Sequence, residues 1–191
     1  AMATIATTNP ATGERIATYD LMPRADALTI LGRVHDAQVA WAELAASGII
    51  KKWAPSLASA ALQMGNPLVR NRATLGGNLA DASPAADSAP PLLSLEAVIH
   101  TVQAGGAKRQ IPVERFFAGP NRTVLAGEEL IARVTFPKPK DPSKSAYIKL
   151  GLRNASAISV VSIALLLETE GAVCRKSRVS LGSVAPTPMR A

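Results

Sequence analysis

From Ala97 onward the chain is written in strand-length runs separated by turn residues, and that rhythm limits what it can become. Ala97 to Gln103, Lys108 to Pro112, Leu130 to Phe136, Ser145 to Gly151, Ala157 to Glu168 and Cys174 to Val184 each read as a strand. Gly105-Gly106 stands where a tight hairpin turns, and Gly171 where a later pair must reverse. Connections this short join antiparallel neighbours. The longest apolar run, Ala157 to Leu167, is too short to cross a bilayer and reads as a buried strand. Upstream the period is helical. Pro23 to Ala46 puts Leu28, Leu31, Val34 or His35, Trp41 and Leu44 on one side, and Ala58 to Met64 repeats the pattern until Gly65-Asn66-Pro67 breaks it. Asn9 to Glu14 is turn chemistry, Arg15 to Tyr19 a short strand, Pro90 to Leu95 a short buried helix and Val113 to Phe117 a helical turn. The expected fold class is α+β, a mixed and antiparallel sheet with packed helices. Two lobes are expected to meet near Pro137 to Ser143, where three prolines mark an exposed linker.

With 191 residues, 48% hydrophobic and 18% charged, the chain can bury a core and does not read as a disordered tail. Its net charge of +7 raises nucleic acid as a partner, but the basic residues are spread thinly and aromatics are only 4%, too few for stacking platforms. A solvated basic face, or one that meets an anionic cofactor or an acidic partner, fits better. Cys174 is the only cysteine, which excludes an internal disulfide and a cysteine-held metal or iron–sulfur site within this chain. His35 and His100 have no ligand-spaced partners and read as structural. With no charged-then-apolar leader pattern, the expected location is cytoplasmic, with neither membrane nor nucleic acid as partner.

Chemistry concentrates in Thr74 to Asp87. Gly76-Gly77 permits positive φ and close backbone approach, and successive amides there can face one anion. Thr74 and Asn78 add side-chain donors on either side. Ser83-Pro84 reads as a helix start, Ser83 capping and Pro84 at the first position, which would add a positive dipole end. Asp87, one turn in, suits a ribose or ribityl hydroxyl. On spacing alone the segment reads equally as an anion cradle or as a glycine hairpin leading into a capped core helix.

Its neighbours add a resemblance. Asn66-Pro67, Arg70-Asn71-Arg72, Thr74 to Asn78, Ala82 to Asp87, Phe116 to Pro120 and Tyr147 to Arg153 match, in order and spacing, the FAD-binding medium subunit of molybdenum hydroxylases. That family includes the flavin parts of carbon-monoxide and xanthine dehydrogenases, and the resemblance covers about residues 42–191. It implies an oxidoreductase module that holds FAD and no metal, relaying electrons from a molybdenum–pterin subunit by way of an iron–sulfur subunit to an external acceptor. It implies that Thr74, Gly76, Gly77 and Asn78 touch the pyrophosphate, and that Asp81, Ser83 and Asp87 hold phosphate and sugar hydroxyls. Ile131 is implied on the flavin side, and Lys149 beside the isoalloxazine, where a cation favours the reduced ring. No catalytic residue is implied.

Residues 5 to 41 instead resemble the N-terminus of aldehyde dehydrogenases, without that family's catalytic parts. Medium subunits begin with a subdomain whose Ala-Gly-Gly-Thr-type loop walls the other side of the pyrophosphate, and they continue past the motif at Ala185 to Ala191. The expectation is a truncated hybrid of three parts, 1–41, 42–137 and 138–191. Losing one wall removes charge-assisted bonds of about 1.5–3 kcal/mol each. The alternative is therefore a catalytically silent chain that binds no FAD and mainly self-associates as a homo-oligomer.

Overall fold

The computed structural model describes residues 4–8, 15–20 and 39–191, apart from 104, 141 and 155. Thr4–Thr8 (β1) and Arg15–Asp20 (β2) pair antiparallel, so the short strand expected from Arg15 is present. The turn expected at 9–14 and most of the helix expected at 23–46 lie outside the described residues. In its described part that helix does not run unbroken: Ala40 is extended, at φ −71° and ψ 150°, and bridges to Thr74, so α1, Trp41–Ala46, begins afresh after it.

Four short helices make the first layer. After α1 come α2 (Gly48–Trp53), α3 (Pro55–Gln63) and α4 (Pro67–Arg70). Each boundary has a local cause. Ser47 Oγ accepts from Ile50 N at 3.3 Å to open α2, and Asn66 Oδ1 accepts from Val69 N at 3.0 Å to open α4. Pro55 and Pro67 occupy first-turn positions, where a missing N–H costs nothing. Gly65, at φ +51°, makes the break expected after α3. Two more helices follow, α5 (Leu75–Asp81) and α6 (Ala89–Ser94).

The strands then arrive in the expected order. β3 (Val98–Gln103) and β4 (Lys108–Pro112) form a hairpin turned by Gly105 and Gly106, both at positive φ, and β7 (Glu129–Thr135) pairs on the other side of β3. A 3₁₀ turn at Val113–Arg115 and the small hairpin of β5 (Phe117–Gly119) and β6 (Arg122–Thr123) fill the connection. The second sheet has the order β11-β10-β9-β8, from β8 (Ser143–Gly151), β9 (Ser159–Glu170), β10 (Val173–Gly182) and β11 (Met189–Arg190). All its pairs are antiparallel. The architecture is thus α+β.

One hydrophobic cluster joins the layers. It runs from Trp41 and Leu57 through Leu75, Leu79, Leu92 and Leu93 to Ile99, Phe116 and Ile131, and reaches Leu166 on β9. The inner face of the second sheet rests on α3 and α6. The fit is close at Gly182, where an added Cβ would stand 3.0 Å from Pro90 Cγ and 2.5 Å from Ser162 Oγ.

Candidate functional site

Thr74 is held at the entrance of α5 by its neighbours. Leu75 N donates to the Val39 carbonyl at 3.2 Å and Trp41 N to the Ala73 carbonyl at 3.1 Å, so 39–41 and 73–75 form a short bridge. Thr74 is extended there, at φ −110° and ψ 160°, and its Oγ1 accepts from Gly77 N at 3.0 Å. That makes it an N-cap. Gly76 and Gly77 therefore lie in the first turn of a helix, and neither takes the positive φ expected of a glycine turn. The physical reason is burial. Leu75 and Leu79, one helical turn apart, both enter the core, and with the cap this outweighs the poor helix propensity of two glycines. Gly77 is exposed, whereas Gly76 is buried.

The other end of α5 is fixed by the β5–β6 hairpin. Asn121 N donates to the Ala82 carbonyl at 2.9 Å, and Asn121 Nδ2 to the Asp81 carbonyl at 3.0 Å. Ala82, at φ 50°, ends the helix, and Asp81 is exposed. Ser83-Pro84 does not begin a helix. Ser83 closes a turn instead, its Oγ accepting from Ala85 N at 3.2 Å and its carbonyl from Ala86 N at 2.9 Å. The next helix waits until Ala89, where Pro90 and Pro91 suit a first turn. Asn78 ties the two pieces together, its Oδ1 accepting from Ser88 Oγ at 2.7 Å.

Asp87 is buried, and its carboxylate is the best-connected group of the segment. Oδ1 accepts from Tyr147 Oη at 2.8 Å and from Ser159 Oγ at 2.7 Å; Oδ2 takes the Lys149 ammonium at 2.7 Å. The Asp87 and Lys149 side chains are each 7% exposed, so this is a buried, hydrogen-bonded ion pair. Burial, and then the charge of Asp87, pushes the Tyr147 phenol well above its usual range, so it stays a donor. Two of the expected site residues, Asp87 and Lys149, are thus brought into direct contact. Ile131 is 5% exposed within the core cluster, paired across β3–β7 with Thr101. Tyr147 and Ser159 were not expected as site residues. A signal for Tyr147 exists: two residues from Lys149 on one strand, it must share its face. No local pattern announces Ser159, whose place depends on the β8–β9 register.

Beside Lys149 lies a cleft of about 510 Å³, lined among others by Asn66, Arg70, Arg153 and Asn154. Part of its charge is engaged: Arg70 Nη1 donates to the Met64 carbonyl at 3.0 Å and Arg153 Nη2 to the Ser156 carbonyl at 2.6 Å. His100 meets Thr135 Oγ1 at 2.7 Å, and burial followed by the charge of Arg133 lowers its pKa. His35 lies outside the described residues. Among the described residues no group of three or more histidine, cysteine, aspartate or glutamate side chains is placed to hold a metal, and no helix is long and apolar enough to cross a membrane.

Residues 32–139 match the family model described as the FAD binding domain in molybdopterin dehydrogenase. The chain belongs to this family. The match starts upstream of the join expected near Trp41, inside the stretch that resembles aldehyde dehydrogenases. Among relatives, the xanthine dehydrogenase FAD-binding subunit of Escherichia coli O157:H7 is 32% identical over 149 residues, covering 78% of this chain and 51% of that one. The carbon monoxide dehydrogenase medium chain of Hydrogenophaga pseudoflava is likewise 32% identical over 149 residues, with 78% and 51% covered. The solved carbon monoxide dehydrogenase of the same organism superposes with a TM-score of 0.76 at 29% identity, covering 81% of this chain and 53% of that chain. The chain therefore spans about half the length of these relatives.

Proposed function

We propose that the chain is the FAD-holding module of a molybdenum-hydroxylase-type oxidoreductase, passing electrons from an iron–sulfur partner, itself supplied by a molybdenum–pterin subunit, to an external acceptor. The observation that carries this reading is the capped α5 entrance. Thr74 and the exposed, side-chain-free Gly77 stand at the helix start, where a diphosphate would compete with the Thr74 cap for Gly77 N, in a chain of this family. Bound FAD supplies the redox chemistry. Thr74, Gly76, Gly77 and Asn78 bind the pyrophosphate, Asp81 and Ser83 hold phosphate and sugar hydroxyls, and Ile131 supports the ring side. Lys149 presents a cation held in place by Asp87. A hydroxyl that reaches Asp87 must share its carboxylate with the three donors already there. The three expected parts, 1–41, 42–137 and 138–191, divide this work: an N-terminal block, the cradle, and the sheet that carries Lys149.

A second reading, a chain that takes up no FAD, draws support from the same saturation of Asp87. A titration separates the two. The purified chain, stripped and given FAD, should show a flavin absorbance that stays with the protein through a desalting column. Gly77→Asp places a carboxylate against the diphosphate and should weaken FAD uptake at least a hundredfold, since two tenfold steps need only about 2.8 kcal/mol. A colourless wild type with saturating FAD present sinks the flavin reading.

A further inference from the structure

The sheet β4-β3-β7 has an outer face that neither the core nor the flavin reading uses. Ile99, Ile111 and Ile131 turn inward to the hydrophobic cluster, and Ile131 is the one residue of this sheet assigned to the flavin. On the other side His100 is flanked by Gln110 on β4 and Arg133 on β7, and Val102 by Lys108 and Leu130. Directly paired residues of an antiparallel sheet share a face, so these six stand together. Arg133 reaches that side through a bulge. Thr101 pairs with Ile131 but His100 pairs with Arg133, which makes Ala132 an extra residue in β7. Without it the two-residue period would turn Arg133 inward beside Ile131; with it, Arg133 joins His100. All three strands lie within residues 32–139, the part matched by the family model.

A cleft of about 400 Å³ opens on this face, lined among others by His100, Val102, Lys108, Gln110, Ala132 and Arg133. Val102 is buried and Ala132 half-buried, forming an apolar floor, while Lys108, Gln110 and Arg133 are exposed around it. No carboxylate lines the cleft among the described residues. Glu129 lies on the inner side and is taken by Arg109, and the described ion pairs leave Lys108 and Arg133 unanswered. Burial, and then the charge of Arg133, lowers the His100 pKa, as expected beside a cation with no anion at hand. We infer that this cleft is a binding site for a small aromatic carboxylate, its ring on Val102 and Ala132 and its carboxylate between Lys108 and Arg133. The volume lies within the range of small-molecule sites, and an apolar floor with a few placed polar groups is their usual lining. The Arg133 guanidinium offers a planar fork that matches a carboxylate, Lys108 adds a point charge and Gln110 an amide donor. An inorganic anion would answer the charges and leave the floor wet. A neutral ring would cover the floor and leave both cations unpaired. A ring bearing one carboxylate does both, and it needs no FAD.

Benzoate is the probe, added without FAD in a low-salt buffer that leaves the charges unscreened. The chain has two histidines, so the His100 ring signal in a proton NMR spectrum is assigned by its loss in His100→Gln. That signal should move saturably, with a dissociation constant of about 1 mM or tighter, the range open to a ligand this small. Benzyl alcohol, which keeps the ring and loses the charge, and inorganic phosphate, which keeps the charge and loses the ring, should each bind at least tenfold more weakly. Lys108→Gln and Arg133→Gln change exposed side chains, so the fold should survive, checked by an unchanged far-ultraviolet spectrum, and each should weaken benzoate at least tenfold. Arg175→Gln removes the same charge from an exposed pair on β10 and should bind like wild type. A His100 signal that benzoate does not move overturns the proposal. So does phosphate binding as tightly as benzoate, because the face is then only a basic edge that guards β4 against strand pairing. Lys108 and Arg133 variants that bind like wild type overturn it too. The readout needs no flavin, so a failure here leaves the flavin reading standing.

Discussion

Glu129 is the carboxylate most strongly held by its neighbours. Arg109 Nε donates to it at 2.8 Å, the Thr101 hydroxyl and Ala126 N also donate, and its side chain is fully buried at the edge of β7. The hydrogen bond from Arg109, helped by those from Thr101 and Ala126, holds its pKa at about 2 against the ordinary 4.5, although burial pulls the other way. A carboxylate depressed in the folded state contributes stability that is fully present above the unfolded value and lost as pH falls through the folded one. That window runs from 4.5 down to about 2. Glu129→Gln should therefore lower the melting temperature at neutral pH, and the gap to wild type should narrow as pH falls across the window. Melting curves at closely spaced pH values check this; a gap that stays constant overturns it. None of this was legible in the sequence. Thr101, Arg109 and Glu129 lie on three different strands, and only the β4-β3-β7 register brings them together.

Strands were easier to read than helices at the level of the element. Apolar runs bounded by glycine and proline turns place β3, β4, β7, β8, β9 and β10 within a few residues of their true ends, and β8 and most of β9 also alternate with a two-residue period. The segment Thr74 to Asp87 was read in the wrong local form, since Gly76-Gly77 is equally consistent with a turn and with a helix start. What decides is the burial of Leu75 and Leu79 and the bridge from 39–41, both of which are tertiary. Ser83-Pro84 has helix-start chemistry, yet Ser83 closes a turn and Pro84 accepts a long-range bond at its carbonyl, from Ser183 N at 2.9 Å. The same region shows how tightly elements meet. Gly182 on β10 faces Pro90 of α6, and an added Cβ would stand 3.0 Å from Pro90 Cγ. A proline ring cannot swing aside as a flexible side chain can. Gly182→Ala should cost about 1–3 kcal/mol by overpacking. Urea denaturation checks it: an unchanged midpoint would mean that α6 moves away freely.

Across the whole molecule, the linker at 137–143 joins two sheets that share their interior. The hydrophobic cluster crosses from Trp41 to Leu166, and the Asp87 carboxylate binds Tyr147, Lys149 and Ser159 from the far sheet. On another side Glu96 meets Arg178 at 3.0 Å and Arg190 at 3.3 Å, and Arg178 continues to Glu168 at 2.9 Å. A polar linker therefore marks a change of sheet without marking a change of folding unit, which is why proline content alone could not say how the halves would behave. Residues 39–191 should unfold in one calorimetric transition. Asp87→Ala tests the coupling most directly. It leaves the Lys149 ammonium, 7% exposed, without its counter-charge, and breaking a buried pair from one side costs about 3–5 kcal/mol. For a chain of this length, that corresponds to roughly 6–20 °C in melting temperature. Glu170→Ala removes the partner of Arg175 from a pair in which both side chains are more than half exposed, and should cost less than about 1 kcal/mol. If the lobes are stitched through Asp87, its loss lowers the single transition as a whole or splits it by releasing the second sheet first. Equal small effects from the two variants would show that the apolar cluster and the Glu96 ion pairs hold the two sheets together without Asp87, with the buried ion pair serving only to aim Lys149.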